Sequence, residues 1–142
     1  MNSRNLFKAT RPPASKRDLI KLMSSHQGGL PQSYLDFLAL CNGAESCIND
    51  RNGDCLVLWS TNEIAELNDA YSIPHYLPEF LAIGSDGGDD AVGFDRRGST
   101  PNEWPIVRIG FGNLDPADFV QLATGFAEWQ AQGFPLKGAA LE

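Results

Sequence analysis

Two rhythms of apolar residues run along this chain: one near the 3.6-residue period of a helix, the other in short continuous blocks that suit covered strands. The first helical stretch opens at Ser15-Lys16-Arg17-Asp18, a capping-box pattern in which the serine oxygen accepts from an early helical N–H and the acid answers the cap amide. Leu19, Ile20, Leu22 and Met23 then form the expected buried stripe, with Gly28-Gly29 as the stop. The second stretch begins at Pro31, which suits a first helical position because the N–H it lacks would be unpaired there anyway. Tyr34, Leu35, Phe37, Leu38 and Cys41 give it a wide apolar face, and Asn42-Gly43 supplies a left-handed end. Ser60-Thr61-Asn62-Glu63 repeats the capping box ahead of a third helix with Ile64, Leu67 and Tyr71 on one side.

Between the second and third helices, Asn52-Gly53 is a type I′ hairpin dipeptide, joining residues 45–49 to the apolar run 55–59. Residues 73–78 hold two prolines and read as a connector. Beyond it, Leu81-Ala82-Ile83 and Ala91-Val92-Gly93-Phe94 flank Gly87-Gly88 and a crowd of aspartates. Residues 81–95 therefore predict two antiparallel strands about a glycine-enabled turn. Residues 105–109 predict another strand. Asp115 can cap a further helix with Phe119, Leu122, Phe126 and Trp129 on one face, although Gly125 costs a helix interior about 1 kcal/mol relative to alanine.

A chain of 142 residues suits one domain, and its 42% hydrophobic and 20% charged content excludes disorder as its ordinary state. The charge is unevenly placed. Arg4, Lys8, Arg11, Lys16, Arg17 and Lys21 fall in the first 21 positions beside one acid, which leaves five bases, seventeen acids and a formal net of −12 for the remainder. Such a body repels phosphate backbones and excludes nucleic acid as the main ligand, whereas a basic partner or simple solubility would suit it. Residues 1–14, ending in Arg11-Pro12-Pro13, read as a flexible basic arm ahead of a domain over 15–142. The first eight residues carry no signal-peptide run and no segment reaches membrane-spanning length, so no membrane role is expected. Cys41, Cys47 and Cys55 contain no C-x-x-C and cannot all pair, which predicts reduced thiols in a cytoplasmic protein.

Catalytic templates fail at named residues. Asp86, Asp89, Asp90 and Asp95 are oxygen ligands of the type hard cations prefer, but an EF-hand register starting at Asp86 puts Ala91 at its glycine and Arg97 at its bidentate glutamate. Ile83 replaces the first glycine of a nucleophile elbow around Ser85. Gly110-Phe111-Gly112 opens like a dinucleotide fingerprint, yet Asp115 stands at the third glycine, where a carboxylate opposes pyrophosphate. His26 and His75 have no further ligand at metal spacing. No catalytic residue, metal ligand or cofactor is assigned, and Trp104 is the best placed tryptophan for a partner-facing anchor.

The block Leu30-Pro31-Gln32-Ser33-Tyr34-Leu35-Asp36-Phe37-Leu38, followed by Asn42-Gly43, resembles the opening motif of the SUKH superfamily, which includes fungal cell-wall-assembly regulators and bacterial toxin-immunity proteins. The strand followed by the Ser60–Glu63 box, the glycine-rich acidic block Ser85-Asp86-Gly87-Gly88-Asp89-Asp90, and the closing run from Leu122 to Trp129 resemble that family's later elements in the same order. The resemblance implies a single α+β domain, with a mixed, mostly antiparallel sheet and helices packed around it. It divides the C-terminal stretch into a short strand near residues 119–122 and a helix from Thr124 or Gly125. It also implies a non-enzymatic protein-binding domain of the immunity type, neutralising a protein toxin in the cytoplasm, with a basic nuclease domain among the candidates. The alternatives are an intracellular scaffold or regulator and, third, a metal-dependent enzyme using the Asp86–Asp90 turn. For a binding role, the expected interface is Asp86, Asp89, Asp90, Asp95 and Trp104.

Overall fold

The computed structural model describes residues 9–26, 29–46, 55–98 and 100–137. Its strands lie in one sheet in the order in which they occur: Ala9–Thr10 (β1), Ala44–Ser46 (β2), Leu56–Leu58 (β3), Phe80–Ser85 (β4), Asp90–Asp95 (β5), Ile106–Gly110 (β6) and Val120–Ala123 (β7). Every neighbouring pair is antiparallel. Around the sheet pack Lys16–Ser24 (α1), Gln32–Leu40 (α2), Thr61–Ala70 (α3), Ile73–Tyr76 (α4) and Phe126–Ala131 (α5). The protein is thus a single α+β domain.

The β4–β5 hairpin is its centre. Phe80, Leu81, Ala82 and Ile83 are all buried in succession, so both faces of β4 are covered, as their unbroken apolar run requires. Aromatic rings form one packed group: Tyr34 meets Phe94 of β5 edge-on at 5.3 Å and Phe126 at 5.2 Å, while Trp129 meets Phe134 at 5.0 Å. Gly93 is obligatory by space, because a Cβ there would stand 2.0 Å from the Leu81 carbonyl oxygen, beside the register shift between Ala82 and Gly84. Where β3 ends, the Asn68 side chain on α3 takes over the role of a strand: its amide donates to Ala82 O at 2.8 Å and its oxygen accepts from Ala82 N at 3.0 Å. A buried backbone that would otherwise be an open edge is satisfied in this way.

Both capping boxes form, at Ser15–Asp18 and Ser60–Glu63. Other local expectations need correction. Ile20 and Met23 are exposed and only Leu22 of α1 is buried, because the helix meets α2 and α3 along a narrow face. Pro31 is the N-cap of α2 and not its first residue. Cys41 ends α2 in extended backbone, so the left-handed residue Gly43 lies past the helix and leads into β2, while Asn42 reaches across to accept from Thr61 N at 2.8 Å. Tyr71 is 44% exposed and stacks on Phe111 at 4.0 Å. Residues 73–78 include the short helix α4 where a connector was expected. At the C-terminal end the chain divides as the resemblance implied, with β7 and α5 separated at Gly125, the N-cap of α5.

Residues directly ahead of Ser15 join the framework. Ala9–Thr10 pair with β2, Ala14 N donates to Leu38 O at 2.9 Å, and Arg11 holds Glu63 at 2.7 Å. The hydrogen-bonded framework therefore reaches ahead of Ser15, because strand pairing and a distant acid bind residues that local pattern leaves featureless. The rest of the arm, Gly28 and the Asn52-Gly53 turn lie outside the described residues, although the strands that turn would join do pair. Cys55 is disulfide-bonded, which corrects the expectation of reduced thiols: three cysteines rule out complete pairing, not one bond. Cys41 is a buried thiol, and Cys47 lies outside the described residues.

Candidate functional site

The acidic turn is built from the ends of β4 and β5. Gly87 takes the left-handed conformation at φ +81°, and a Cβ there would press on the Cys55 carbonyl at 3.1 Å. Asp86 is buried and its Oδ1 accepts from the backbone N–H groups of Gly88 at 2.8 Å and Asp90 at 3.1 Å, the side-chain-to-backbone pattern that suits aspartate to turns. Its Oδ2 accepts from Arg108 Nη2 at 2.8 Å. The same guanidinium donates from Nε to Asp90 Oδ2 at 2.7 Å and from Nη1 to the Leu136 carbonyl at 2.6 Å. Arg108 on β6 thus ties two acids of the turn to the C-terminal segment.

Asp95 and Trp104 lie at the other end of the hairpin. Five residue steps along β5 separate Asp90 from Asp95, about 17 Å at the usual strand rise. Asp95 is buried and forms a fork with Arg97, accepting from Nε at 2.9 Å and Nη2 at 2.8 Å. The Arg97 hydrogen bonds hold its carboxyl below the usual carboxylate range against the opposing effect of burial. Trp104 is only 6% exposed, with its indole N–H directed to the Gly98 carbonyl at 3.4 Å and its ring beside Phe94.

The five residues singled out for an interface therefore do not form one surface. Asp86, Asp89 and Asp90 come together, Asp95 and Trp104 stand apart from them, and of these four aspartates Asp89 alone is exposed. Trp104 is not the exposed anchor that its polar neighbours implied, because Phe94 and the Gly98 carbonyl take it inward. Chemically, the turn is closed by its own cation. Arg108 occupies the oxygens that a metal ion would need, and no group of three or more His, Cys, Asp or Glu among the described residues is arranged around a common point.

Sequence reasoning missed a second group, at the Asp95 end. His26 after α1, Arg96 after β5, and Pro78 and Glu79 before β4 meet around an open cleft of about 360 Å³ with Trp104 in its wall. Burial, and then the Arg96 charge, lower the proton affinity of His26. The local sequence gives no sign of this meeting, since His26 and Arg96 are 70 residues apart.

Fold and site together define a class: a small α+β domain built on an antiparallel meander, with its acidic hairpin end locked by an internal arginine. The model of the SMI1 / KNR4 family (SUKH-1) matches residues 13–132, and the chain belongs to that family. A search of curated proteins returns no match.

Proposed function

We propose that this protein is a non-enzymatic binding domain of the immunity type, which holds and neutralises a bacterial protein toxin. Membership of the SUKH-1 family is the observation that carries the reading. The formal charge of −7 favours a basic partner surface, a nuclease domain among the candidates, because complementary charge steers association. Asp89 and the exposed backbone of Gly87 and Gly88 are the part of the acidic turn offered to such a partner, with the neighbouring acids held behind it. An intracellular scaffold or regulator is the second reading, favoured by the same family match.

The experiment is co-expression with a toxin domain found to be encoded directly upstream. Capture of that toxin and survival of the cells are expected; failure of both would sink the immunity reading. Asp89→Asn should weaken capture by about two- to fivefold, the scale of one exposed charge pair, while leaving the unfolding midpoint unchanged. The cytoplasm is the proposed place of action. Disulfides are rare there, so this placing predicts that the Cys55 bond is reduced in cells, which acid-quenched thiol alkylation would measure directly.

A further inference from the structure

We propose that the cleft between Arg96 and His26 binds a single oxyanion group, a carboxylate or a phosphate, at a site separate from the acidic turn. Arg96 lies half-buried, with Nη2 donating to the Pro78 carbonyl at 3.0 Å and Nε to the Glu79 carbonyl at 3.4 Å. Nη1 stands 3.5 Å from His26 Nδ1. Arg11, Arg97 and Arg108 each grip a carboxylate, whereas Arg96 forms no ion pair among the described residues. A guanidinium has five N–H groups in a fixed fork, so the two carbonyl contacts leave three, and a charged His26, a donor at both ring nitrogens, takes none of them. The carbonyls fix its orientation without neutralising it. The exposed Glu79 attracts it without forming an ion pair, so the hydration lost on burial is offset only in part, a deficit that an entering anion removes.

The surroundings suit a small group. The cleft's 360 Å³ holds a phosphate or carboxylate with several waters, since one water takes about 30 Å³ of liquid volume. Burial holds the proton affinity of Arg96 below its ordinary value and, with the Arg96 charge, does the same for His26. A bound anion favours the charged form of both. The other charges nearby are Glu79, which lines the same cleft, and Asp18 and Lys21, which line the adjoining groove that shares His26. Glu79 is exposed and opposes an anion, so it sets a ceiling on affinity.

The test is an NMR titration of the full chain with sodium phosphate and, separately, sodium acetate, at ionic strength held constant with chloride. The expected result is a saturable change in the His26 ring resonances and an upward move of their titration midpoint. Arg96→Gln should weaken binding at least about tenfold, as loss of a charge-assisted hydrogen bond would. Response to phosphate alone assigns the site to phosphate groups, and response to acetate alone assigns it to carboxylates. No saturable response to either salt, or an equal response in Arg96→Gln, overturns the proposal. Because Arg96 also holds the Pro78–Glu79 backbone, Glu79→Gln gives an independent check that leaves the guanidinium in place. It should tighten binding about two- to threefold, and unchanged or weaker binding counts against the site.

Discussion

The two ends of the β4–β5 hairpin each carry a partly buried arginine, and they use it in opposite ways. At the turn, Arg108 is held by Asp86 and Asp90, one on Nη2 and one on Nε, and by a carbonyl on Nη1. At the far end, Arg96 has carbonyls and a histidine nitrogen but, among the described residues, no carboxylate bonded to it, only the more distant pull of exposed Glu79. Charge that is matched inside the molecule serves the fold and is spent there. Charge that is fixed in place but held in no ion pair remains available to something outside. The end richest in acids is therefore the more self-contained of the two, and the end with such a cation is the more open to a ligand.

The largest break in this comparison is Arg108→Ala. It leaves the buried Asp86 without its cation and frees Asp90 and the Leu136 carbonyl, and removing one partner of such a pair costs about 3–5 kcal/mol. Urea unfolding should show most of that loss. The corresponding removal at the other end, Arg96→Gln, should cost far less, since it strips hydrogen bonds from carbonyls that are partly in water. Equal losses at the two ends would erase the distinction between a structural and an available arginine.

How far the sequence alone reached follows the same division between local and distant partners. The capping boxes at Ser15 and Ser60 close within three residues, and the central hairpin closes across one turn, so local pattern exposes them. Arg108 lies 22 residues from Asp86 and 18 from Asp90, and no periodicity links such positions. The aspartates could thus be read as an acidic cluster but not as internally neutralised. Trp104 shows the converse error: its flanking Glu103 and Pro105 read as surface, while Phe94, brought over by the β5–β6 pairing, makes it core. Arg96 and Arg97 are adjacent and chemically identical in the sequence. Only the fold sets one against Asp95 and the other against carbonyls.

A smaller effect comes from acid, and it sharpens the contrast at that adjacent pair. Asp95 has its carboxyl pKa depressed in the folded protein, chiefly by the Arg97 hydrogen bonds. A depressed folded pKa means that the unfolded chain binds the proton more readily, so the stabilisation is complete above the unfolded pKa of about 4 and disappears as pH falls through the folded value. Urea midpoints measured from pH 6 down to pH 2 should fall, and Asp95→Asn should flatten part of that fall while starting from a lower midpoint. An acid limb identical in wild type and Asp95→Asn would show that this fork contributes nothing. Because Arg97 is largely exposed, its share of the effect should also shrink in added salt.

The smallest effect tests whether an unmatched polar group always signals an outside partner. Tyr34 of α2 packs edge-on against Phe94 and Phe126 and is 1% exposed, yet its hydroxyl has no hydrogen-bond partner among the described residues. Burial alone pushes its proton affinity up. Unlike Arg96, it is sealed in the core, so its unmet hydrogen bond is a plain cost to the fold. Tyr34→Phe keeps the ring and its edge contacts and removes the unsatisfied oxygen, at the expense of a small void. The variant should be between equal in stability and about 1 kcal/mol more stable, because a buried polar group without a partner has no favourable interaction to lose. A loss of more than about 1 kcal/mol in urea unfolding would mean that the hydroxyl is in fact matched in solution, by an ordered water for example, and that unmatched groups here cannot be read from side-chain geometry alone. That outcome would weaken the inference drawn from Arg96 as well, since the same standard identified both.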